Sequence, residues 1–150
     1  MSVDSFLDTN LFIYQLEFLD EQKGSIAESI ITQGIANGNA CISFQVIQEC
    51  LNTIRRKAEI PLGQAETRRY LEAVLFPLWS IMPRQKLYLR ALDVQDRYSF
   101  GFYDSLIVSA ALEAGCKRLL SEDLQHGQRI EGLSIENPFV MYPTDKSGGL

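Results

Sequence analysis

Phe6-Leu7-Asp8-Thr9-Asn10-Leu11-Phe12 sets one acid inside an otherwise apolar stretch. Burying a carboxylate with nothing to compensate it is costly, so Asp8 needs water, hydrogen-bond donors or a cation beside it. A short strand over residues 5–8 that carries Asp8 out at its C-terminal end meets that need. Three further acids, Glu49, Asp104 and Asp123, stand in similarly apolar settings far along the chain.

Outward from that strand, Leu11, Phe12, Tyr14, Gln15 and Phe18 predict a first helix, with Asn10 near its start. There its amide either binds backbone groups or reaches back towards Asp8. Residues 22–37 predict a second helix with Ile26, Ile30 and Ile31 on one side, fraying at Gly34 and Gly38. Residues 39–43 read as strand and turn. Ser43 is placed to cap a helix to about Lys57 whose apolar stripe is Ile47, Cys50, Leu51 and Ile54. Glu49 lies off that stripe, on the side of Val46 and Thr53, where it borders a cleft while the stripe packs on a sheet.

Pro61 to Gly63 predict a turn, and residues 64–76 a helix limited by Pro77. Trp79 to Met82 read as a third strand, and Pro83 opens a helix that ends before Gly101. Asp104 heads an almost wholly apolar helix through Leu112, which is expected to be central. Lys117 to Leu120 make a short strand, Ser121-Glu122-Asp123 turn off its tip, and Leu133 to Ile135 form a final edge strand. Asn137-Pro138 then begins the tail. The domain is expected to occupy residues 1–143, with 144–150 a loose end of Lys, Ser and Gly. Strands alternating with helices predict a three-layer α/β domain around a mostly parallel sheet. Such sheets bind ligands beyond the carboxyl ends of their strands, where Asp8 and Asp123 are placed.

The 150 residues suit one domain with a full core, and an apolar fraction of 46% with 22% charged residues is ordinary for a soluble protein. No apolar run is long enough to span a bilayer, and the first residues carry no secretory leader, so a cytoplasmic setting is expected. Cys41, Cys50 and Cys116 are isolated among apolar neighbours and read as reduced core residues. The net charge of −5 comes from 14 basic and 19 acidic residues, and without the four singled-out acids the chain is close to neutral. That balance leaves a nucleic-acid substrate open but offers no large basic surface.

Each acid has a plain alternative. Asp8 and Asp104 suit helix N-termini, Glu49 a solvated helix face, and Asp123 a turn. Taken together, two at strand exits and two on adjoining helices, they point to a carboxylate cluster over one end of the sheet. Crowded carboxylates repel one another unless a cation or a proton intervenes. With one histidine and no CxxC pair in the chain, oxygen ligands favour Mg²⁺ or Mn²⁺ over zinc. Ser121 either caps its turn or positions a metal-bound water, and His126 reads as a loop residue. Arg55, Arg56 and Arg129 are candidates to steady a phosphate backbone, although solvated surface charge accounts for each alone.

The stretches FLDTNLFIY at 6–14, SFQVIQECLNTIRRK at 43–57, YDSLIVSAALEAGC at 103–116 and LLSEDLQHG at 119–127 resemble PIN-domain proteins. Within that superfamily they are similar to VapC-type toxins of bacterial and archaeal toxin–antitoxin pairs. LSIENPF at 133–139 resembles the family's last strand and its Asn-Pro exit. The resemblance implies a three-layer α/β/α fold with four or five mostly parallel strands. It implies Asp8, Glu49 and Asp104 as metal ligands, Asp123 completing the cluster, and Asn10 and Ser121 as polar support. It further implies a Mg²⁺- or Mn²⁺-dependent endoribonuclease acting on RNA, a homodimer, and an antitoxin whose tail covers the pocket. Rival expectations are a metal-dependent phosphatase or DNA nuclease, and an inactive nucleic-acid- or partner-binding module.

Overall fold

A computed structural model describes residues 3–17, 19–57 and 59–141. Strands β1 (Ser5–Leu7), β2 (Ala40–Ser43), β3 (Trp79–Ile81), β4 (Arg118–Leu120), β5 (Arg129–Ile130) and β6 (Leu133–Glu136) form one sheet in the order β3-β2-β1-β4-β6-β5. Every pairing is parallel except the β5–β6 hairpin. Helices α1 (Thr9–Glu17), α2 (Glu21–Asn37), α3 (Phe44–Arg56), α4 (Gln64–Tyr70), α5 (Phe76–Leu78), α6 (Gln85–Tyr98), α7 (Phe102–Glu113) and α8 (Pro138–Met141) flank it, giving the expected α/β/α layers. No described helix is long and apolar enough to cross a membrane.

The chain leaves β1 towards β2 and β3 on one side and returns on the other as β4, so the strand order reverses at β1. Such a reversal opens a crevice beyond the strands' carboxyl ends, because the flanking connections diverge there. Asp8 stands at that point, its backbone N–H donating to the Leu120 carbonyl at 3.0 Å. The core runs on both faces of the central strands through Phe6, Leu7, Ile42, Leu119 and Ile135, all fully buried. Phe12 and Leu11 of α1 and Val108 and Ala111 of α7 close over them. All three cysteines are buried and free, with the Cys41 and Cys116 sulfurs 3.6 Å apart.

Several local expectations change. Leu133 to Ile135 do not make an edge: β6 is flanked by β4 and by the two-residue β5, on which it doubles back after the positive-φ turn at Glu131. Pro77 does not end the helical run either. Leu71–Leu75 widen into a π turn in which the Phe76 N–H reaches the Leu71 carbonyl, and α5 carries the run through Pro77 to Leu78. A wider turn accommodates proline, which lacks a donor and crowds the preceding turn of a regular helix. Ser43 begins α3, but its hydroxyl makes no capping bond and is buried without a partner. Pro138 starts a short helix rather than a tail. Phe18 and residues 142–150 lie outside the described part.

Helix α2 approaches β2 closely at Gly34, where an added Cβ would stand 2.7 Å from the Ala40 Cβ. Alanine is worth about 1 kcal/mol over glycine within a helix, whereas forcing a methyl group into a packed core costs about 1–3 kcal/mol. The steric cost therefore prevails. Gly34→Ala should lower the urea midpoint with the m-value unchanged. A midpoint at or above that of the wild type would mean that the α2–β2 contact yields to a methyl group.

Candidate active site

Asp8 is only 5% exposed, yet both carboxylate oxygens are occupied. Oδ1 accepts the Thr9 backbone N–H at 2.8 Å and Oδ2 accepts the Ser121 hydroxyl at 2.8 Å. The Thr9 donor is freed because α1 begins there, and the first N–H groups of a helix have no partner inside it. Ser121 follows β4 directly, and its oxygen in turn accepts the Asp123 N–H at 3.3 Å. One serine thus fixes the buried acid and shapes the turn that carries the rim acid; the turn role is one of the two expected of it, and the bond to Asp8 is an addition. Glu122 is pinned between the Tyr14 hydroxyl and Lys23, each at 2.5 Å, which ties the same turn to α1 and α2.

Glu49 projects from α3 towards the same place. Its Oε1 accepts the Thr9 hydroxyl at 2.5 Å and its Oε2 accepts the Gln45 amide at 3.0 Å. The Gln45 amide nitrogen also donates to the Tyr103 carbonyl at 3.2 Å, one residue before Asp104 in the first turn of α7. Gln45 is 4% exposed, and with both N–H groups engaged it links the helix of one acid to the helix of another. Thr9 and Gln45 were not among the sequence-predicted site residues. Their signals were adjacency to Asp8 and a one-turn spacing from Glu49.

Asp8, Glu49, Asp104 and Asp123 line a single open cleft of about 420 Å³ together with Asn10, Thr9, Thr53, Arg56 and Lys57. Asn10 faces this space, whereas the bonds to Asp8 come from Thr9 and Ser121. Asp8 lies deepest, Glu49 and Asp104 are half-buried, and Asp123 is at the exposed rim. The expected convergence is looser than a finished cage. Among the described residues, no three acidic, histidine or cysteine side chains are gathered closely enough to hold a metal ion as they stand. Of the basic residues singled out, Arg56 borders the cleft, Arg55 points to a neighbouring groove and Arg129 sits on β5. His126 accepts the Asn137 N–H on Nδ1 at 2.9 Å and acts as a loop tie.

Electrostatically the cleft is under strain. Burial pushes the Asp8 carboxyl up to about 7, helped by the charges of Glu49 and Asp123, although its two hydrogen bonds pull the other way. Asp104 is raised by burial and then by Asp123 and Glu49, and Asp123 by burial and then by Glu122 and Glu49. An all-oxygen donor set with mutually repelling charges matches the preference of hard divalent cations, so the residues fit Mg²⁺ or Mn²⁺.

A buried acid with a raised pKa holds a proton in the folded protein that the unfolded chain has already released. Between pH 4 and 7, stability therefore falls as pH rises, by about 4 kcal/mol for a shift of this size. In chelator, the urea midpoint of the wild type should decline across that window. Asp8→Asn should flatten the decline and be the more stable protein at pH 8. Parallel pH profiles for the two proteins would refute the burial of a titrating Asp8.

The sequence profile of the PIN domain family matches residues 5–129. No curated protein matches the sequence. Among solved structures, a chain of a toxin–antitoxin complex from Klebsiella pneumoniae superposes with a TM-score of 0.65 at 16% identity, covering 91% of this chain and 98% of that one. A chain of VapBC2 from Rickettsia felis, bound to a DNA fragment from its promoter, gives 0.66 at 18% identity over 90% and 98%. PAE2754 from Pyrobaculum aerophilum gives 0.60 at 19% identity over 90% and 92%. At such identities the structural likeness speaks to the fold. Joined to the profile match across most of the sequence, it leads to one conclusion: this chain belongs to the PIN domain family.

Proposed function

We propose that the protein is a Mg²⁺- or Mn²⁺-dependent endoribonuclease and the toxin of a toxin–antitoxin pair. The observation that carries this reading is the buried Asp8 carboxylate, opening with Glu49, Asp104 and Asp123 into one cleft at the strand-order reversal of a PIN domain. These four side chains would hold the cation. When bound there, it supplies a positive charge that makes a water nucleophilic near neutral pH and draws charge from a phosphoryl oxygen.

The chain's own residues do the rest. Ser121 and the Thr9 N–H keep Asp8 pointed into the cleft, while the Thr9 hydroxyl and Gln45 hold Glu49 to face it. Asn10 offers its amide to the substrate side of the pocket. Asp104 and Asp123 line the same cleft and add their charge to that of Asp8 and Glu49. The open cleft suits single-stranded or looped RNA better than an A-form helix, whose deep groove excludes side chains.

Partner and setting follow from the same reading. One of the solved structures with this fold is a toxin–antitoxin complex by name, and an acidic cleft is electrostatically matched to an antitoxin segment bearing Arg or Lys. The active form is a cytoplasmic homodimer.

Purified protein should cut end-labelled RNA in Mn²⁺ or Mg²⁺ and not in chelator, leaving matched DNA and phosphomonoesters intact. Asp8→Asn and Asp104→Asn should each lose more than about 100-fold in rate, since removing a ligand exceeds the loss seen on removing its outer partners. Products should carry a 5′-phosphate and a 3′-hydroxyl. A 2′,3′-cyclic phosphate, or full activity in the Asp8→Asn protein, would overturn the assignment.

A further inference from the structure

We propose that the groove between α3 and α4 carries the sugar–phosphate backbone of the single-stranded substrate as it leaves the acidic cleft. This rests on the ribonuclease reading and adds the path of the RNA. The groove is lined by Leu51, Arg55, Gln64, Thr67, Arg68 and Leu71 and has a volume of about 470 Å³, similar to that of the cleft. At 3.6 residues per turn, Glu49, Thr53 and Arg56 share one side of α3, and Leu51 and Arg55 share the other. Exposed Asn52, Arg55 and Arg56 form the ridge between them, so a strand crossing the last turns of α3 passes from one recess to the other.

The charge distribution favours this route. The cleft repels phosphate, and a polyanion must be attracted by something outside it. Arg55, Arg56, Lys57, Arg68 and Arg69 cluster within fifteen positions against only Glu59 and Glu66, in a chain that is acidic overall. Elsewhere, Lys23, Arg84, Arg90 and Arg118 are each spent on an acidic partner, while the exposed Lys86, Arg97, Lys117 and Arg129 stand apart from one another in sequence and line neither recess. Among the described residues, Arg55, Arg56, Arg68 and Arg69 are exposed and make no ion pair. Positive charge at the end of α3 also offsets the helix dipole, which accounts for Arg55 and Arg56. The same holds for Arg68 and Arg69 in the last turn of α4, but Arg68 also lines the groove, facing it from the α4 wall. Guanidinium groups grip phosphate through paired donors, and the Leu51–Leu71 floor offers an apolar rest for sugars and base faces. A single strand follows such a bend where a duplex cannot.

The test is binding, measured in chelator by fluorescence anisotropy with a labelled oligouridylate, so that it is independent of cleavage. Salt is varied from about 50 to 200 mM, where loss of affinity with salt counts the phosphates neutralised. Arg55→Gln/Arg68→Gln should bind at least about tenfold more weakly and lower the salt slope by about 1.4, the value for two contacts to a single strand. Lys86→Gln/Lys117→Gln removes the same charge from other exposed sites and should leave both quantities near wild type. These surface changes should leave the thermal melting temperature unaltered. Equal losses in the two double variants, or no loss in either, would overturn the path. So would a wild type that ignores the oligouridylate yet binds polyglutamate in an Arg55- and Arg68-dependent way, since the groove would then serve an acidic protein segment. Failure of the wild type to cleave any RNA, with this binding pattern intact, would remove the nuclease reading and leave the path standing.

Discussion

Everything about this fold's working end follows from how the Asp8 carboxylate is kept in a nearly dry place. A buried acid survives only if its oxygens are satisfied, and here the donors are a helix N-terminal N–H and a serine hydroxyl from the neighbouring strand's exit. Those two bonds need β1 and β4 side by side and α1 to start without a linker. The parallel pairing of Phe6 with Leu119 and Leu7 with Leu120 provides the first condition, and the Asp8–Thr9 junction the second. Even with both bonds made, burial raises the acid's pKa, so the site stores a preference for positive charge before any ligand arrives.

The remaining acids extend that preference outwards in graded exposure, each from a different element. The Glu49 oxygens are steered by uncharged groups rather than by cations. Thr9 and Gln45 hold Glu49, while Lys57 at the cleft's edge is drawn away to Glu17. Neutral donors orient a carboxylate without cancelling its field, which leaves the negative potential intact for an incoming cation. Basic charge is instead gathered at the last turns of α3 and α4, with Arg56 at the border of the cleft. The separation sets fields of opposite sign at adjacent but distinct places on one small domain.

Much of this was legible in the residues because strand exits and helix stripes obey short-range rules. Asp8 and Asp123 stood where apolar runs stop, and Glu49 lay off the stripe of Ile47, Cys50 and Ile54, so their shared position could be inferred from the order of elements. What the residues concealed depends on partners far apart in sequence. Nothing local marks Gln45 as the link between Glu49 and the Tyr103 carbonyl. The two-residue β5 is too short to show a period, and its presence moves β6 into the sheet's interior. Pro77 reads as a stop by local rules, and only the π turn before it lets the helix continue. The looseness of the acid group was also hidden, because sequence order gives neighbourhood and not distance.

The Ser121–Asp8 bond joins residues 113 positions apart, and β1 has no partner on that side until β4 exists. Contacts of such long range form late, after much of the chain has been ordered. On the ribosome, Asp8 therefore emerges early but stays without its serine and its neighbouring strand while most of the chain is still to be made. Domains fold as units as synthesis proceeds. A chain that stops short of the turn after β4 thus lacks the cleft altogether.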